Sequence, residues 1–302
     1  MDKKTTGILM VLFSAAGFAT LAIFIKIAYA AGVNTVTMLA LRFLLAAAVL
    51  WLILYLRGTL PHISKKLSVQ LFLMGTLGYG TMSFFFALAL KYLSASLAAM
   101  ILYTYPALVS LLAFALGDEQ VTLPKCSALA VCFAGLFLVL GVSFNGINPL
   151  GICLGLGAAV VYSAYIVIGN RVLRQVDSVA AATIVCTAAG MTLLLGGALA
   201  GELQFAIALP GILAILGIAF FGTVIGILFF FAGMSRIGAA NAAIISTTEP
   251  VITVLLSCIL LNERITLLQA GGGLLILAGV VILQVWTGSS SAAASPALHS
   301  EE

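Results

Sequence analysis

FALALKYLSASLAAMILYTYPALVSLLAFALGDEQVTLPK (residues 86–125) lies without a gap over FFAGMSRIGAANAAIISTTEPVITVLLSCILLNERITLLQ (residues 230–269), at an offset of 144 residues. Ala95 falls on Ala239, Ala98 and Ala99 on Ala242 and Ala243, Thr104 on Thr248, Pro106 on Pro250, Glu119 on Glu263 and Thr122 on Thr266. The same offset carries Gly7-Ile8 onto Gly151-Ile152 and Gly135 onto Gly279. Chance similarity between apolar stretches does not hold one offset this long, and the shared Pro and Glu stand outside the apolar alphabet. The chain is a duplication.

What is duplicated is a set of membrane helices. Of 302 residues 63% are apolar and 7% charged, against about 45–50% and about 25% in an average soluble domain. Thirteen basic and nine acidic side chains cannot cover a globule of this size, which excludes a soluble enzyme, a disordered chain and a nucleic-acid binder. A helix needs about 20 apolar residues to cross a bilayer. Runs of that length fall at roughly 6–29, 34–56, 67–90, 93–116, 123–142, 149–170, 177–200, 210–233, 238–261 and 266–286, given that spacing.

The first run resembles a signal peptide in having Lys3 and Lys4 before it and Ala28-Tyr29-Ala30 near its end. It is longer than a signal h-region and carries Lys26, so it is expected to stay as a membrane helix. The segment 288–302, GSSSAAASPALHSEE, has too little apolar material to fold and is expected to be a disordered cytoplasmic tail.

With the N-terminus inside, the loop Lys and Arg residues divide nine inside (Lys3, Lys4, Arg57, Lys65, Lys66, Lys125, Arg171, Arg174, Arg236) against two outside (Lys91, Arg264). The positive-inside rule then puts both termini of a multi-pass membrane protein in the cytoplasm. Five helices per half is an odd number, so the second half enters the membrane in the opposite sense. The expected fold is all-α, ten transmembrane helices in two inverted five-helix repeats, 7–142 and 149–286. Glu119 and Glu263 are then equivalent residues on opposite sides. Many secondary transporters use this symmetry for alternating access.

Three features inside the spans could carry chemistry. Glu249 is the one acidic residue within a span, about 16 Å from the start of its helix at 1.5 Å per residue, near the midplane. An ionisable group there costs about 2.5–3.5 kcal/mol on insertion scales and usually marks a pathway or proton relay. Its plain reading is a structural partner of backbone or Arg. Arg42 lies about 12 Å into the second span, at nearly the depth of Glu249 measured from the same side. It is a candidate partner of Glu249, a candidate holder of a substrate carboxylate or phosphate, or a snorkelling side chain. Pro106 and Pro250 fall in mid-span and free the carbonyls of Leu102 and Ser246. Those kinks are expected to face a central cavity, because in lipid a freed carbonyl needs a partner. Lys26 reads as an interfacial anchor.

At these residues the chain resembles the drug/metabolite transporter superfamily and, within it, the EamA family of ten-helix carriers. The resemblance rests on ALKYLSA (89–95), YTYP (103–106) and GDEQ (117–120) in one half and GMSRIGA (233–239), TTEP (247–250) and LNER (261–264) in the other, with FATLAIFIK (18–26) and TMLALRFLLAA (37–47) in the first helix pair. It covers about residues 7–285. The resemblance implies an inner-membrane exporter or permease, driven by an ion or substrate gradient, for a small metabolite such as an amino acid or a drug-like compound. It implies a cavity among helices 1, 3, 4, 6, 8 and 9, where the polar and aromatic candidates are Ser14, Phe18 and Ala158, with Tyr79, Tyr103, Tyr162, Tyr165, Ser246 and Thr247.

The competing reading is a membrane-embedded enzyme acting on a lipid-linked substrate. Such an enzyme wants paired acids for Mg²⁺ or a nucleophile beside a base, and no span holds two acids or a His. A receptor or scaffold has no use for the repeat or a midplane Glu. Five Cys without a C-x-x-C spacing and two distant His support neither a metal site nor a disulfide framework. No cofactor is expected. The expected partners are a small-molecule substrate, the lipid bilayer, a candidate coupling proton and a candidate homodimer, and no nucleic acid.

Overall fold

A computed structural model describes residues 2–59, 61, 63–117, 122–141, 148–173 and 175–293; the side chains of 140, 141, 170, 171, 173, 239, 240 and 286–293 are not described. Glu119, Asp118, Arg174 and residues 294–302 lie outside the described residues. Every regular element among the described residues is helical. In chain order these are α1 (Lys3–Ala30), α2 (Thr35–Leu56), α3 (Lys65–Tyr92), α4 (Ala95–Ala115), α5 (Leu123–Gly141), α6 (Pro149–Leu173), α7 (Ser178–Ala200), α8 (Leu209–Ile237), α9 (Ala239–Ser246 and Thr248–Leu260) and α10 (Leu267–Ala293). Nine of them are long and apolar enough to cross a bilayer; the apolar stretch of α5, Leu123–Val139, is shorter. The last helix runs to Ala293, past Gly288, where the sequence reading expects the disordered tail to begin.

Local chemistry sets the helix ends. Asn34 caps α2, accepting from the Thr37 N–H at 2.8 Å, Ser94 caps α4 from Leu97 at 3.1 Å, and Asp177 caps α7 from Val179 at 3.0 Å. α8 passes into α9 through Gly238 at φ +83°, a backbone conformation that favours glycine.

Four helices are interrupted, two of them, α4 and α9, at the kinks expected from their prolines and two, α3 and α8, without such a signal. α3 and α8 each contain a wide π-type turn, Met74–Gly80 and Phe220–Ile225. α4 breaks at Tyr103–Thr104 and α9 at Thr247, where Pro106 and Pro250 cannot donate to the preceding turn. The 144-residue offset carries each interruption to within two residues of its counterpart. Packing follows the same rule, with α1 on α8 and α3 on α6, α4 on α9, α2 on α7 and α5 on α10. In the last pair a Cβ on Gly135 would stand 2.6 Å from the Gly272 carbonyl oxygen, and one on Gly272 2.7 Å from the Gly135 oxygen. Glycine lets these backbones touch.

The turns α1–α2 and α7–α8 meet where the Asn34 N–H donates to Gln204 Oε1 at 2.7 Å. The turns α3–α4 and α9–α10 meet where Glu263 reaches Ala95. We call this the Asn34 face. On the opposite, terminal face the start of α1 packs against the end of α8, so that a Cβ on Gly7 would meet Ile237 at 2.5 Å.

Candidate functional site

The breaks of α4 and α9 lie against each other in the middle of the bundle, and one hydrogen bond joins them. The Tyr103 hydroxyl donates to Glu249 Oε2 at 2.7 Å, with the Ser246 carbonyl as a second acceptor at 3.3 Å. Ser246 O is one of the two oxygens that the prolines free, so this proline's gap is met by protein. The breaks are otherwise closed in matching fashion. Thr104 Oγ1 donates to Ile101 O at 2.7 Å and its counterpart Thr248 Oγ1 to Ile245 O at 2.8 Å. Beyond the breaks the two differ, since the Tyr105 carbonyl accepts from Ser163 of α6 at 3.1 Å, whereas that of its counterpart Glu249 accepts from Thr253 one turn on in α9 at 3.1 Å.

From Glu249 a file of tyrosines crosses the bundle. Ring centroids are 5.7 Å apart for Tyr103–Tyr105, 4.6 Å for Tyr105–Tyr162, 6.0 Å for Tyr162–Tyr165 and 5.9 Å for Tyr165–Tyr79. Edge-to-face and offset contacts at such distances hold rings in register. At the far end stands Arg42, 1% exposed. Its Nε donates to Thr223 Oγ1 at 3.1 Å and its Nη2 to the Tyr79 hydroxyl at 3.3 Å. Its guanidinium lies 4.7 Å from the Phe43 ring centroid, a cation–π distance. Arg42 is therefore not snorkelling. Its partners are Tyr79 and Thr223, while the described partner of the Glu249 side chain is Tyr103, and the tyrosines separate the two charges.

Tyr79 and Thr223 are counterparts under the 144-residue offset, and each sits in a wide turn. Thr223 Oγ1 also donates to Ile218 O, five residues back, at 3.0 Å. Such turns are common at functional positions. Arg42 thus ties the two wide turns together from α2, and its own counterpart on α7 is the fully buried Cys186.

The other sequence candidates divide. Tyr79, Tyr103, Tyr162 and Tyr165 belong to the file. Ser246 contributes its carbonyl, but its hydroxyl donates within its own helix to Ala242 O at 2.9 Å, as that of Thr247 does to Ile244 O at 2.6 Å. Ser14 donates to Gly226 O at 2.6 Å and Phe18 packs over Gly226, so both hold α1 to α8. Ala158 is fully buried. Pro250 lines an apolar cavity of about 200 Å³ together with Tyr103, Met100, Val254 and Ile276, directly beside the Glu249 break. Lys26 lines a separate cavity of about 430 Å³ at the Asn34 face with Tyr29, Asn34 and Lys91. The sequence reading missed Tyr105 and Thr223. Both carry a signal in the offset, as the counterparts of Glu249 and Tyr79.

Comparison with known proteins agrees with the duplication. The model of the EamA-like transporter family matches residues 5–141 and again 149–285. The chain is 28% identical over 283 residues to uncharacterized transporter YcbK of Bacillus subtilis, covering 88% of this chain and 89% of that one. It is 27% identical over 226 residues to uncharacterized transporter YyaM of the same organism, covering 72% and 74%. Over 128 residues it is 30% identical to the WAT1-related protein At1g01070 of Arabidopsis thaliana, covering 42% and 35%. A crystal structure 19% identical in sequence superposes with a TM-score of 0.69 over 95% of this chain and 99% of that one, a likeness of fold. These names indicate transport rather than enzymatic turnover.

Proposed function

Because the chain belongs to the EamA-like transporter family, a family of multi-pass membrane transporters, we propose that it carries a small metabolite through the cell membrane by alternating access. The substrate class is an amino acid or a drug-like compound, the direction is export, and Glu249 is the coupling group. In this reading the repeat halves are related by a pseudo-two-fold axis in the membrane plane, the even number of helices keeps both termini on the terminal face, and that face is the cytoplasmic one. That orientation is supported by the excess of Lys and Arg on the loops of that face.

The observation that carries this reading is the joint between the breaks of α4 and α9. A carboxylate near mid-membrane, held by one hydroxyl from the counterpart helix, is a group whose state both halves feel. In alternating access a site binds differently in two arrangements of the same helices. A proton arriving on Glu249 changes the carboxylate from an acceptor of the Tyr103 hydrogen bond into a group that can also donate, and so alters the joint. Arg42 at the other end of the tyrosine file is the candidate group for a substrate carboxylate or phosphate. The apolar cavity beside Pro250 gives room for an apolar substituent.

The test uses purified protein in proteoliposomes, with a panel of amino acids, sugars and drug-like compounds and an imposed pH gradient. For the substrate the panel identifies, Glu249→Gln loses gradient-driven accumulation and the response of flux to pH. If the variant accumulates substrate like the unaltered protein, with the same pH response, Glu249 is not the coupling group.

A further inference from the structure

We propose that Glu263 is the gate residue of the Asn34 face: its carboxylate latches the first half of α4 over the central site, and release of that latch opens the site toward this face. The inference rests on the alternating-access reading and adds to it the group that holds one gate shut.

Glu263 lies in the α9–α10 turn, one residue after Asn262, whose φ of +54° turns the chain back over the bundle. One carboxylate oxygen accepts from the Ala95 N–H at 2.6 Å, and the other from the Ser96 N–H at 3.0 Å and the Ser96 hydroxyl at 2.7 Å. The Ser96 hydroxyl also meets the Ser257 hydroxyl on α9 at 2.5 Å. The Glu263 N–H donates back to Ser257 O at 3.2 Å. The carboxylate thus satisfies donors that every helix start leaves open, at the positive end of the α4 dipole. Three charge-assisted contacts converge on one side chain, the strong class of hydrogen bond.

A surface cap would serve only the helix it caps. This one spans from one repeat to the other, at a boundary that is already dry: Ser96 is 4% exposed and Ser257 fully buried. Below it Ser96, Ala99 and Tyr103 follow one face of α4, at the spacing that stacks side chains. Tyr103 is the residue that holds Glu249. The latch and the central joint are therefore the two ends of one rigid helical segment, Ala95–Leu102. Letting go of the first frees the segment to swing about the second.

The experiment measures labelling by a membrane-impermeant maleimide at Ala99→Cys and at its counterpart Ala243→Cys. Intact cells expose the Asn34 face and inverted vesicles the terminal face, and labelling is read peptide by peptide so that the native cysteines act as internal references. With Glu263 in place, Ala99→Cys is slow from the Asn34 face and Ala243→Cys fast from the terminal face. Glu263→Gln, which keeps the side-chain size, and Glu263→Ala both speed the first by about tenfold and slow the second. Unchanged labelling at Ala99→Cys in both folded variants overturns the latch, as does a change at Ala99→Cys with no reciprocal change at Ala243→Cys, since that is what a merely structural cap would give. Failure of Ala243→Cys to react from the terminal face with Glu263 intact overturns instead the alternating-access reading on which the proposal stands.

Discussion

The first half of α4 and the first half of α9 are the same element of the repeat, yet they sit in opposite surroundings. Leu97, Ala98, Ala99, Met100 and Ile101 are all buried, the least of them 7% exposed. Of their counterparts Asn241 is exposed, Ala243, Ile244 and Ile245 are half-buried, and Ala242 alone is buried. The starts differ in the same sense. α4 opens on the capping Ser94 and takes the Glu263 carboxylate, whereas α9 opens on Gly238 with no side-chain cap, and Asn241 donates to Ile237 O at 2.8 Å behind it. Related sequences that occupy one closed and one open environment are what an alternating-access carrier needs at any instant. Under the alternating-access reading proposed above, this asymmetry corresponds to a state shut at the Asn34 face and open at the terminal face.

Because the comparison is between counterparts, paired substitutions can break it. The largest difference is expected at Arg42 and Cys186. Arg42→Ala leaves a cavity and strips partners from Tyr79 and Thr223, lowering stability by about 3 kcal/mol or more. Cys186→Ala removes one small buried group, lowering it by under about 1 kcal/mol. Thermal midpoints of the purified variants measure both; equal losses would mean that Arg42 does not bind the wide turns together. A smaller difference is expected one layer away. Tyr103→Phe removes the hydroxyl between the two breaks and lowers flux by about tenfold, while Thr247→Val removes a hydroxyl that bonds only within its own helix and lowers it by less than about threefold. Initial rates in proteoliposomes rank the two, and a reversed ranking would move the functional joint away from α4.

Much of this was legible in the sequence because it depends on distance along the chain. The repeat, the helices and the place of Glu249 along its helix follow from counting, and the breaks of α4 and α9 follow from proline chemistry. What counting leaves out is the rotation of each helix about its axis. Depth alone left Arg42 and Glu249 as candidate partners, but rotation interposes the tyrosine file between them. Tyr105 reads as one more aromatic among apolar neighbours until its ring is seen between Tyr103 and Tyr162. The wide turns have a faint signal in glycines 75, 78, 80 and 222, which equally suit close packing. Glu263 reads as a solvated loop acid, since nothing local announces that its acceptors meet a helix start in the other repeat.

Amide hydrogen exchange on the unaltered protein in lipid nanodiscs tests the central asymmetry most directly, comparing Leu97–Ile101 with Asn241–Ile245. Helical segments open more readily where they are less packed. The account predicts that the α9 amides exchange at least about tenfold faster than the α4 amides. Equal protection of the two counterparts, or slower exchange in α9, would contradict it.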